Sequence, residues 1–125
     1  MKVYLFLASA LLLTPFKLLS LNLYDLDPYE EYLSSGKKLM KLEFGLHDLE
    51  SKERSKEILI ATHGRDSRGF EWIYPLQTID NNKTKTYFLR WDTTKCPQKA
   101  IPALMKEISE IQNVEKITIL GHSYG

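Results

Sequence analysis

Five consecutive residues, Gly121-His122-Ser123-Tyr124-Gly125, set a hydroxyl between two glycines in the spacing that serine chemistry uses. A serine that attacks a carbonyl must stand clear of its own chain. It does so on a turn sharp enough to strain its backbone, flanked by glycines because side chains there would clash. The amide of the next residue, Tyr124, then points to where negative charge develops in the tetrahedral intermediate. Composition alone yields roughly 0.02 such matches from nine serines and six glycines, so chance accounts for it poorly. The competing reading is a glycine-rich turn that merely ends a strand. A second pair, His63-Gly64, also closes an apolar run. The chemistry implied is acyl transfer through a covalent intermediate, with Ser123 as nucleophile.

Such a turn needs a strand before it. Ile58-Leu59-Ile60-Ala61, Thr86 to Trp91 and Ile117-Thr118-Ile119-Leu120 are three short apolar runs, the pattern of parallel strands covered on both faces. Between the last two, Ile101, Leu104, Met105, Ile108 and Ile111 carry the 3–4 spacing of an amphipathic helix within 97–113. Pro102 falls in its first turn and Asn113 at its stop. A weaker helix is expected over 69–79, with Phe70, Ile73, Tyr74 and Leu76 inward and Pro75 kinking or shortening it. Strand, helix, strand, helix, strand is the alternation of a right-handed parallel α/β sheet. Upstream, residues 22–56 are polar and rich in both charges. Ser34-Ser35-Gly36 reads as a turn, the alternation of Leu42, Phe44 and Leu46 as one half-buried strand over about 39–47, and Ser51 to Lys56 as a solvated loop.

From Glu57 to Gly125 the chain resembles the central part of an α/β-hydrolase of the lipase and esterase type. The resemblance rests on His63-Gly64 and Gly121-His122-Ser123-Tyr124-Gly125 at successive strand ends. It implies that the three runs are the family's third, fourth and fifth strands. It places the oxyanion hole on the backbone N–H groups of Arg65 and Tyr124. His63 would then be structural, holding the loop rather than serving as catalytic base, and Trp72 is similar to an aromatic found there in lipase- and esterase-like members. The implied activity is hydrolysis of a carboxylic ester or lipid-like acyl substrate, with no metal and no organic cofactor. In that family the acid and then the base follow the nucleophile, and neither follows Ser123 here. The expectation is therefore an incomplete α/β-hydrolase fold over 57–125, the amino-terminal portion of a longer serine hydrolase and inactive alone.

Other chemistry-bearing residues have plainer readings. His122 is expected to pack beside the elbow, and His47 to be exposed. Arg65, Asp66 and Arg68 either line the mouth of the site and recognise a polar or anionic group, or form a solvated loop. Asp92 is expected to cap the following turn. Cys96 lacks a basic environment that would compel a reactive thiolate.

Composition sets the outer bounds. The 125 residues are 43% hydrophobic and 26% charged, with a formal net charge of +1, which suits one globular domain and offers no field for nucleic acid. One cysteine excludes an intramolecular disulfide or a cysteine-based zinc site. Met1-Lys2 followed by the apolar stretch from Val3 reads as a signal peptide or membrane anchor over 1–21, so the protein is expected to be exported or membrane-attached through residues 3–21. The rival functional class is a membrane-tethered binding domain, or a degenerate fragment, that keeps this fold without chemistry.

Overall fold

The computed structural model describes residues 21–29, 32–49, 55–79 and 84–125. The signal or anchor segment lies almost wholly outside these, and among the described residues no helix is long and apolar enough to cross a membrane.

The apolar runs become the strands. β2 spans Glu57–Thr62, β3 Thr84–Arg90 and β4 Lys116–Gly121, and β3 and β4 flank β2 in parallel. A shorter strand, β1 (Gly45–Asp48), joins the outer edge of β3 antiparallel, giving the order β1-β3-β2-β4. The fold is thus α/β, with a four-stranded and mostly parallel sheet flanked by helices. Each parallel link requires a crossover, and helices supply them. α2 (Phe70–Ile79) connects β2 to β3, and α3 (Ile101–Glu110) connects β3 to β4.

Side chains alternate along a strand, so β2 and β3 feed two cores. On one face Leu59, Ala61 and Phe88 pack with Trp72, Ile73 and Leu76 of α2. On the other, Ile58, Ile60, Tyr87, Leu89 and Trp91 pack beneath Leu104, Ile108 and Ile111. The upstream region belongs to the first core: Leu23, Leu26, Leu39 and Leu49 are fully buried or nearly so within it.

Three local expectations are corrected. Ser34-Ser35-Gly36 is not a turn but lies inside helix α1 (Tyr32–Met40). Tertiary contact overrides local preference there. A Cβ on Gly36 would stand 2.5 Å from the Arg68 carbonyl oxygen, so the glycine lets α1 meet the start of α2, while the Ser35 hydroxyl accepts the Asp27 N–H. The strand expected over about 39–47 is instead the four residues Gly45–Asp48, beginning later and ending one residue further on, and Phe44 is exposed. In both later helices the inward set is narrower than the spacing suggests. Trp72 replaces Phe70 and Tyr74 in the core, and Ile101 and Met105 are exposed. The helix within 97–113 opens with a 3-10 turn at Pro97–Lys99 and ends at Glu110, with Asn113 in the left-handed region at φ 61°.

β4 departs furthest from expectation. It is apolar in composition, yet Ile117 and Ile119 are 43% and 55% exposed, because β4 pairs only with β2 among the described residues. A strand with one free edge and little cover on its faces is stabilised mainly through its ladder and the elbow contacts that follow.

Candidate functional site

Parallel strands bring their carboxyl ends to one rim, where open α/β sheets place their ligands. Here that rim carries His63-Gly64 after β2, Trp91-Asp92 after β3 and His122-Ser123 after β4. The β2–β4 ladder runs to Thr62 opposite Gly121, and His122 N–H adds one more bond to the Thr62 carbonyl at 3.2 Å. The chain then reverses: Gly125 N–H returns to the His122 carbonyl at 3.0 Å, closing a turn around Ser123 and Tyr124. Ser123 occupies the left-handed region at φ 58°. For an L-residue that conformation costs roughly 1–2 kcal/mol, and here the closed turn and neighbouring backbone hold it in place.

The glycines permit that closeness. A Cβ on Gly121 would lie 2.5 Å from the Gly125 carbonyl oxygen, and one on Gly125 2.5 Å from the Thr62 oxygen and 2.7 Å from the His63 oxygen. A Cβ on Gly64 would meet the His122 carbonyl oxygen at 2.6 Å, the Ser123 Cβ at 2.8 Å and the Tyr124 amide nitrogen at 3.2 Å. The loop after β2 therefore lies directly against the elbow, and the space that Gly64 leaves open borders the Tyr124 amide. Among the described residues, neither the Arg65 nor the Tyr124 amide has an acceptor, and the Ser123 hydroxyl has no partner.

Around Ser123 lies a cleft of about 310 Å³ lined by Arg65, Asp66, Ser67, Arg68, Phe70, Glu71 and His122. Every lining residue but Phe70 carries a polar or charged group, and both arginines are exposed and without ion-pair partners among the described residues. The loop has its own supports: the Ser67 hydroxyl donates to Glu71 and accepts the Gly69 N–H, and Asp66 sits at φ 56°.

His63 is 2% exposed and fully engaged. Its Nδ1 lies 3.0 Å from the Gly64 carbonyl oxygen, and its Nε2 lies 2.8 Å from Arg90 Nη1 and 3.3 Å from the Trp91 amide. The Trp91 indole N–H donates to the His63 carbonyl at 2.9 Å, and Phe88 stacks on the imidazole. Burial pushes the imidazole below its ordinary pKa, reinforced by the Arg90 charge and opposed by the Gly64 carbonyl. A neutral ring with both nitrogens committed has no lone pair for a nucleophile. His122 stands apart, exposed and edge-on to Trp72 at 6.3 Å. Tyr124 stacks on Trp91 at 5.7 Å, linking the elbow to the end of β3.

Elsewhere, Asp92 accepts from both the amide and the hydroxyl of Thr94, which makes it a turn cap. Its carboxyl is held below the usual range by those bonds, with Lys95 adding to the effect. Cys96 is exposed, with its thiol donating to Gln98. His47 donates to the Glu43 carbonyl. No cluster of histidine, cysteine and carboxylate side chains that could hold a metal occurs among the described residues.

Arg90 is the residue that sequence reasoning passed over. Its signal was present, since it is the one charge inside the otherwise apolar run from Tyr87 to Trp91, where a cation needs a partner. No family model, no curated protein and no solved structure matches this chain.

Proposed function

We propose that this chain supplies the nucleophile and the oxyanion-binding half of a serine hydrolase of α/β-hydrolase type, acting on carboxylic esters or lipid-like acyl compounds. The observation that carries this reading is the positive φ of Ser123, held by a turn in which Gly121 is closed in by Gly125 and Gly125 by the end of β2. In the proposed reaction Ser123 Oγ attacks the acyl carbonyl, and the N–H groups of Arg65 and Tyr124 receive the developing oxyanion. The departing alcohol leaves an acyl-serine that water hydrolyses. The proton from Oγ needs a base, and His63 is unsuited because its Nε2 accepts from Arg90 and Trp91. A base and its orienting acid come from outside the described residues in this scheme. Residues 3–21 would carry the protein to export or hold it at a membrane.

The test is covalent capture. A fluorophosphonate is applied to the chain with imidazole in the buffer to serve as base, and the adduct is located by peptide mass spectrometry. The folded wild type is expected to be labelled at Ser123, faster than the same chain in urea, and Ser123→Ala is expected not to be labelled there. Equal rates for folded and unfolded chains would leave a non-catalytic role for the fold and overturn the proposal.

A further inference from the structure

We propose that Arg90 is a positioning residue for this site. Its guanidinium, the closer of two donors to His63 Nε2, holds the His63 tautomer together with the Trp91 amide, and through His63 it fixes the orientation of the Gly64–Arg65 peptide whose N–H serves Ser123. The inference rests on the serine reading above and assigns the part that holds one of its two oxyanion donors.

Two donors converge on His63 Nε2: Arg90 Nη1 at 2.8 Å and the Trp91 amide at 3.3 Å. Neither can accept, because a guanidinium and a backbone N–H only donate. Nε2 must therefore present its lone pair, which puts the ring proton on Nδ1. Nδ1–H then donates to the Gly64 carbonyl, 3.0 Å away. The other tautomer would set three N–H groups against one another at Nε2 and a lone pair against a carbonyl oxygen at Nδ1. Both ends of the ring select the same state.

The consequence reaches the next peptide. In a trans peptide the N–H points opposite to the C=O. Holding the Gly64 carbonyl toward the imidazole, which lies on the β3 side against Phe88 and Trp91, turns the Arg65 N–H the other way. That way lies β4 and the elbow, on the opposite side of β2.

Arg90 is itself held firmly enough to set the ring. Its Nε donates to the Leu42 carbonyl at 3.2 Å, and its guanidinium lies over the Phe44 ring at 5.3 Å. The segment leading into β1 thereby joins the support of a loop that follows β2, which explains why a cation stands in a buried strand run.

The experiment reads the tautomer and the amide directly. Nitrogen-15 NMR of the wild-type chain is expected to show His63 protonated on Nδ1 and bare on Nε2. Phenylboronic acid, bound covalently to Ser123 Oγ, is expected to move the Arg65 amide proton downfield. Arg90→Met is expected to mix the tautomers, shrink that movement and weaken boronate binding about 10- to 100-fold, part of what losing an oxyanion donor costs. Arg90→Lys, which keeps a charged donor, is expected to restore much of each. A wild-type ring protonated on Nε2 overturns the assignment without recourse to any variant. So does a folded Arg90→Met chain with unchanged tautomer and unchanged amide movement, and either result leaves the serine reading intact. Failure of the boronate to form any wild-type adduct overturns the serine reading, and the positioning role with it.

Discussion

Replacing Ser123 by glycine and by alanine separates backbone strain from side-chain chemistry. Both variants lose the hydroxyl, which has no partner among the described residues, so they differ only in a Cβ. Alanine keeps that carbon at φ 58° and with it the left-handed penalty of roughly 1–2 kcal/mol. Glycine escapes the penalty but loses more chain entropy on folding, roughly 0.4–1 kcal/mol. The balance predicts Ser123→Gly to be more stable than Ser123→Ala by about 0.5–1 kcal/mol. At an ordinary helical or extended position glycine is the less stable of the pair by a similar amount, so the sign itself is diagnostic. Urea unfolding measures it: with a slope between about 1 and 3 kcal/mol per molar, the glycine midpoint should lie roughly 0.2–1 M higher. An alanine variant equal to or more stable than the glycine variant would show that residue 123 is relaxed. The strained-elbow argument would then fail, and the nucleophile with it.

Two further expectations follow from the same geometry. Gly64→Ala forces a carbon to within 2.6 Å of a backbone oxygen and 2.8 Å of the Ser123 Cβ, an overpacking that costs about 1–3 kcal/mol. Calorimetry should find a melting temperature roughly 5–15 °C lower, and an unchanged value would mean that the loop and the elbow are not in contact. Stability should also fall with acid. Because burial lowers the folded-state pKa of His63 beneath its ordinary 6.5, the unfolded chain binds the proton more readily, and stability declines as pH drops below about 6.5. The slope attributable to this residue is at most about 1.4 kcal/mol per pH unit. Urea titrations from pH 7.5 to 5 should show it in the wild type and a flatter profile in His63→Asn; identical profiles would mean that His63 is not the group responsible.

Much of the architecture was legible in the sequence because burial on both faces leaves a local mark. The runs at 58–61, 86–91 and 117–120 could satisfy their apolar side chains only inside a covered sheet, and two of them do so. The pentapeptide from Gly121 to Gly125 declared its turn for the same local reason, since no residue but glycine fits where backbone passes within 2.5 Å. The upstream region misled because its decisive contact is distant. Gly36 looked like a turn residue, yet it lies in a helix at the point where α1 presses on the start of α2, and no neighbour in sequence announces that.

Spacing alone thus determined which residue is the candidate nucleophile and that it stands at the end of a strand. Only the tertiary structure decided what surrounds it. It put β4 at an open edge, set Gly64 against Ser123, and gave His63 to Arg90 and Trp91 instead of to the serine. The physical reason is one of range. Turn strain and strand periodicity act between residues a few positions apart, whereas the direction of a peptide N–H and the tautomer of an imidazole are set by groups that meet only when β2, β3 and β4 lie side by side.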